Sequence, residues 1–77
     1  MNEESFFEYS LRRGKPIRLM LESEEGKLEY ATVRVLRWDE KELTCLPNRA
    51  NASKEKIYLR DRIYSASYAR GDRGEDE

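Results

Sequence analysis

Residues 54–70 read KEKIYLRDRIYSASYAR. A strand-like run over 54–60 meets a charged corner, Asp61-Arg62, and resumes at once as an apolar-aromatic run over 63–69. In small five-stranded barrels the last strand enters through such a corner, often as one turn of 3₁₀ helix. The stretch therefore predicts the two closing strands and the short link between them.

Working back from this corner, Ile17, Leu19 and Leu21 alternate with Arg18, Met20 and Glu22, a period of two that predicts a first strand over 17–22 with one buried face. The polar loop 23–27 carries Gly26 where a hairpin needs a left-handed residue. A long second strand is predicted over 28–38. Ala31, Val33 and Val35 share one of its faces; Tyr30, Thr32, Arg34, Leu36 and Trp38 share the other. A strand of this length in a small barrel bends and serves both sides of the fold. A turn at 39–41 leads to a third strand over 42–46, then a polar loop over 47–53.

Ahead of the strands, residues 3–13 predict a short helix. Asn2 or Ser5 serves as cap, acids stand in the first turn, and Arg12 and Arg13 stand in the last. Gly14 suits the position just past a helix end, and Pro16 forbids continuation. Phe7 and Leu11 form an apolar stripe that Phe6 and Tyr9 widen, expected to lie across one mouth of a barrel.

One helix followed by five tightly turned strands predicts a mainly β fold: a five-stranded SH3/Sm-like small barrel with one short N-terminal α-helix. The OB-fold competes, but it carries a helix between its third and fourth strands, where this chain has only the polar loop 47–53. The expected organisation is a disordered start over 1–4, one barrel domain with its helix over 5–69, and a disordered acidic tail over 70–77.

At 77 residues the chain supports one domain with a small core. Charged residues make up 40% and apolar ones 38%, near the boundary with disorder, but the apolar residues are patterned, which argues for folding. A net charge of −1 gives no overall pull towards nucleic acid or acidic membranes. The single cysteine, Cys45, excludes an internal disulfide, and the absence of histidine removes the commonest zinc ligand and general base. No cofactor is expected. No apolar stretch approaches the ~20 residues of a membrane span. The N-terminus lacks a signal-peptide core, so the expected location is the cytoplasm.

Residues 15–68 resemble the WYL-type domain, a small Sm-like barrel of bacterial transcription regulators and phage-defence proteins. KPIRLMLE is similar to its opening strand, YATVRVLRW to its second, ELTCLPNRAN to the strand that leads into a basic loop, and IYLRDRIYSA to its closing segment. The chain departs from the pattern in having Leu21 where the family commonly shows an aromatic. It also lacks the usual proline of the second strand. The resemblance implies a ligand sensor for nucleotides or nucleic acid, with Arg62 at the basic ligand-contacting position, Tyr58 as the neighbouring aromatic, and Arg49 in the basic loop.

Arg49, Arg60 and Arg62 would converge on a phosphate if the third loop and the last corner lie side by side, because a guanidinium donates two parallel hydrogen bonds. The competing reading pairs Arg62 with Asp61, a neighbouring strand or the acidic loop Glu24-Glu25 and makes it a staple of the corner. The basic run Arg12, Arg13, Lys15 and Arg18, with Tyr9, would track a nucleic-acid backbone. Its competing reading is a helix end with favourable dipole charges. Tyr30, Trp38, Tyr58, Tyr64 and Tyr68 all fall on strands and serve either as a patch that stacks bases or binds a peptide, or as apolar cover for a small core or an edge strand. Cys45 reads as a buried inert thiol. No pair of carboxylates is placed for acid-base work, and the glycines form no phosphate loop. The expectation is a non-catalytic ligand-binding or regulatory module for a nucleotide or nucleic-acid segment. The alternative is a protein-interaction module that oligomerises or pairs through its edge strands.

Overall fold

The computed structural model describes residues 3–48 and 54–74. Helix α1 spans Glu3–Arg13, and strands follow at β1 (Ile17–Glu22), β2 (Leu28–Trp38), β3 (Glu42–Pro47), β4 (Lys56–Leu59) and β5 (Ile63–Tyr68). A single 3₁₀ turn, Arg60–Arg62, links β4 to β5, at the corner that the Asp61-Arg62 break marks in the sequence. The five strands form one antiparallel sheet in the order β4-β3-β2-β1-β5. The sheet is not closed: β4 and β5 are its two edges. Of the stretch 70–77, residues 70–74 are described, and they turn back on themselves through the Asp72 amide, which donates to the Ala69 carbonyl at 2.9 Å.

The core lies between α1 and the sheet. Ile17, Leu19 and Leu21 from β1, Val33 and Val35 from β2, Leu43 and Cys45 from β3 and Ile63 from β5 meet Phe7 and Tyr9 of the helix. The helix presents a different face from the expected stripe. Leu11 is 41% exposed, whereas Ser10 is fully buried beside Phe7. With about 100° per residue, positions 6, 7 and 10 share one side of the helix and position 11 lies off it. A serine is tolerated there because both capacities of its hydroxyl are used. It donates to the Lys15 carbonyl at 2.6 Å and accepts from the Val35 amide at 2.9 Å.

That Val35 amide sits at an irregularity of β2. Val35 pairs with Cys45, but the next pair is Arg37 with Thr44, so Leu36 is an extra residue on this strand. A bulge leaves backbone groups unpaired and rephases the side chains beyond it. Trp38 therefore does not share the outward face of Tyr30, as strict alternation predicts. It pairs with Leu43 and packs against Phe7, with ring centroids 5.7 Å apart. β2 serves both neighbours, through Leu28–Val33 with β1 and Val33–Trp38 with β3. At the β2–β3 turn Asp39 Oδ1 accepts from the amides of Glu42 and Lys41, both at 2.8 Å, which lowers the pKa of its carboxyl.

Candidate binding cleft

The Arg60–Arg62 turn separates its two arginines. Arg60 runs towards the helix: its guanidinium carbon lies 5.3 Å from the Phe7 ring centroid and 5.4 Å from that of Trp38. Its Nη2 donates to Glu4 Oε2 at 2.9 Å, Glu3 Oε1 stands at 3.8 Å, and its Nη1 donates to the Asp39 carbonyl at 2.8 Å. Arg62 runs the other way and donates from Nη1 to the Ser23 carbonyl at 3.0 Å, tying the corner to the β1–β2 loop. The competing staple reading had the right loop and the wrong acceptor: a backbone oxygen takes the bond, not a carboxylate. Arg49 lies outside the described residues. Of the three arginines expected to converge, Arg60 and Arg62 are not brought together.

Arg62 and Tyr58 do share a site. Both line a cleft of about 490 Å³ between β4 and the far end of the β1–β2 hairpin. Leu21, Ile57 and Leu59 give it apolar walls; Glu22, Glu24 and Glu29 give it carboxylates, and Lys56 a second cation. Glu29 has a sequence signal that period-two reading can use. It lies opposite Leu21 in the ladder, so a charged residue occupies a core-facing position at the start of β2. A charge at such a position belongs at a wet opening. Glu22 also accepts from the Tyr64 hydroxyl at 2.5 Å, which keeps that phenol protonated above its ordinary range.

β4 borders the cleft as an unpaired edge. The Arg60 amide donates to the Lys41 carbonyl at 2.9 Å. Hydrogen-bonded pairs alternate along an antiparallel ladder, so the amides of Tyr58 and Lys56 face β3 and those of Ile57 and Leu59 face away. The side chains of Ile57 and Leu59 are 59% and 50% exposed. This short strand thus offers free main-chain groups and apolar side chains together.

The remaining candidates separate cleanly. Tyr9 is buried and donates to Asp72 Oδ2 at 2.6 Å, so its ring is not open for stacking. Tyr68 packs edge-on against Phe6 and Tyr9, at 4.8 and 5.0 Å between centroids. Cys45 is fully buried, and loss of solvation pushes its thiol pKa up to about 11. Among the described residues no group of three or more His, Cys, Asp or Glu could hold a metal ion, and no helix is long and apolar enough to cross a membrane. No family model matches the chain, and no curated protein or solved structure matches it either.

Proposed function

We propose that this chain is a non-catalytic binding module, a small barrel of SH3/Sm type left open along one seam, that takes an extended segment of a protein partner on the edge of β4. The order β5-β1-β2-β3-β4, with a 3₁₀ turn joining the two edges, supports the barrel reading. The observation that carries the function is the coincidence at Ile57 and Leu59 of outward main-chain groups and exposed apolar side chains beside the cleft. Peptides that add a strand to an open edge use main-chain hydrogen bonds for affinity and neighbouring pockets for specificity.

Leu59→Pro tests this directly. Leu59 has φ −74°, a value proline adopts without strain, and its amide faces away from β3. The substitution removes one seam-facing donor and leaves the β3–β4 ladder intact. Binders selected from a library of extended peptides are expected to shift the amide resonances of β4 and to lose affinity at least tenfold against Leu59→Pro. Peptides that bind the variant equally, while its spectrum stays dispersed, remove the proposal.

One observation favours a second reading. Tyr58 and Arg62 line one cleft, which suits a small anionic ligand such as a nucleotide, with Arg62 on the anion. Its weakness is electrostatic. Three carboxylates share the cleft with two cations, and Arg62 already has a carbonyl partner. A nucleotide panel titrated in the same spectrum distinguishes the two readings. Shifts at Tyr58 and Arg62 that vanish in Arg62→Ala would install the anion sensor in place of the peptide site.

A further inference from the structure

The sheet face opposite the core carries a second chemistry. The alternation that buries Ile17, Leu19 and Val33 turns Arg18, Tyr30, Thr32 and Arg34 outward, and all four are exposed. On β1 and β5 the same register sets Arg18 opposite Ser67 and Met20 opposite Ser65. Arg18 stacks its guanidinium over the Tyr30 ring, 4.4 Å from the centroid. Tyr30 is nonetheless 65% exposed, so one ring face stays open. Tyr64 adds a second exposed ring at the β5 edge, fixed by its bond to Glu22. Arg18 and Arg34 make no ion pair with any described residue. Thus an aromatic platform, small hydroxyl residues and two guanidiniums without a carboxylate partner share one open surface, and the outward-facing carboxylate of these strands, Glu22, already accepts from Tyr64.

We propose that this outer face of β1, β2 and β5 binds single-stranded nucleic acid. Charge complementarity selects the occupant. Arg18 lies opposite Thr32, so Arg34 stands two residues further along the neighbouring strand, and the two guanidiniums form a diagonal pair that suits a backbone of regularly spaced phosphates. Exposed tyrosines supply the stacking that unpaired bases seek and that a duplex withholds. Small side chains at Thr32, Ser65 and Ser67 keep the surface low enough for bases to lie against it. An acidic peptide would satisfy the arginines and leave Tyr30 and Tyr64 without a role. The surface is distinct from the β4 edge, and its reading does not depend on that one.

The test is titration of the whole chain with oligouridine and oligothymidine of about eight nucleotides at several salt concentrations, by fluorescence anisotropy and by amide shifts. The expected result is shifts centred on Arg18, Tyr30, Thr32 and Ser65, with affinity falling as salt rises. Two phosphate contacts predict a slope of log K on log salt near −1.4, at about −0.7 per contact for single strands. Tyr30→Ala is expected to weaken binding about tenfold. The pair Arg18→Gln with Arg34→Gln is expected to abolish the salt dependence, and Lys41→Gln, on the β2–β3 turn, to change nothing. Thr32→Glu provides an independent check, because an exposed carboxylate at the centre of the face should expel the ligand without touching the core. Absence of binding at the lowest salt, equal affinity of Tyr30→Ala, shifts confined to β4, or displacement by polyglutamate at equal charge concentration would each overturn the proposal. The last of these would make the face a docking site for acidic protein.

Discussion

Arg60 holds three parts of the molecule at one point. Its guanidinium lies between Phe7 and Trp38, bonds to Glu4 on the helix, and bonds to the Asp39 carbonyl on the β2–β3 turn. Its Nε is buried without a partner, so the group is already at the limit of what the site satisfies. Replacement by methionine should lower stability by about 2 kcal/mol, through the lost charge-assisted bonds to Glu4 and to the Asp39 carbonyl. Lysine should not rescue it, because a single ammonium cannot reach both acceptors in the planar fork geometry. A urea unfolding midpoint that falls with an unchanged slope would bear this out; a midpoint within error of the parent would remove the clamp. None of this was legible at Arg60 itself, since its partners Glu3 and Glu4 stand more than fifty positions away and look like ordinary first-turn acids. Cys45 is the opposite case. A cysteine between Leu43 and Pro47 on an alternating strand reads as buried, and it is. With its thiol raised to about 11 by desolvation, it should resist a disulfide reagent at neutral pH and react only at the rate of unfolding. Fast labelling of the native chain would contradict that placement.

At the scale of elements, the bounds of α1, β1 and β2 follow from capping and period two, because those signals are local. The bulge at Leu36 does not, because it is set by the mismatch between two strands and by a serine on a third element. The turn after β5 is another such case. Asp72 accepts from Tyr9 at 2.6 Å and from the Gly74 amide at 2.9 Å, and Gly74 lies against the Tyr68 ring. A Cβ at Gly74 would fall 2.3 Å from Tyr68 Cζ, at a φ of +72°. Gly74→Ala should therefore release the turn rather than adjust it, and the Tyr9 and Tyr68 ring resonances should move towards those of a truncated chain. The same contact carries a pH signature. The hydrogen bond to Asp72 raises the Tyr9 pKa from 10 to about 12, so the contribution is present below pH 10 and is lost as pH rises through about 12. The bond to Tyr9 lowers the Asp72 pKa below 3.8, so its contribution is present above that value and is lost as pH falls through the lowered one. Stability measured against pH should therefore sag at both ends, and Asp72→Asn should reduce both sags, leaving the share of Asp39 at the acid end and that of Tyr64 at the alkaline end. A variant that keeps the alkaline sag undiminished would assign all of it to Tyr64 and remove the Tyr9 contact as a cause.

For the molecule as a whole, the open seam divides the sheet into unequal halves. β1 is flanked by β2 and β5 and contributes Ile17, Leu19 and Leu21 to the core. β4 is flanked by β3 alone and contributes only the half-buried ring of Tyr58. Free energy of local opening follows buried apolar contact and the number of paired neighbours. The β1 amides should therefore exchange only through global unfolding, while the β3-facing amides of Lys56 and Tyr58 exchange through a smaller opening, on the order of a hundredfold faster or more. Such a hierarchy is what an edge-pairing module requires, because a strand added at Ile57 and Leu59 gives β4 its second neighbour and should slow those same amides. Native-state hydrogen exchange with and without a bound peptide reads both effects at once. If the free chain protects β4 as strongly as β1, the seam is closed in solution, the main-chain groups of Ile57 and Leu59 are already paired, and no edge remains for a partner. If β4 is weakly protected and a peptide that binds elsewhere leaves it so, the edge is open but unused. Selective protection of β4 by a peptide is the one outcome that joins the open seam to function.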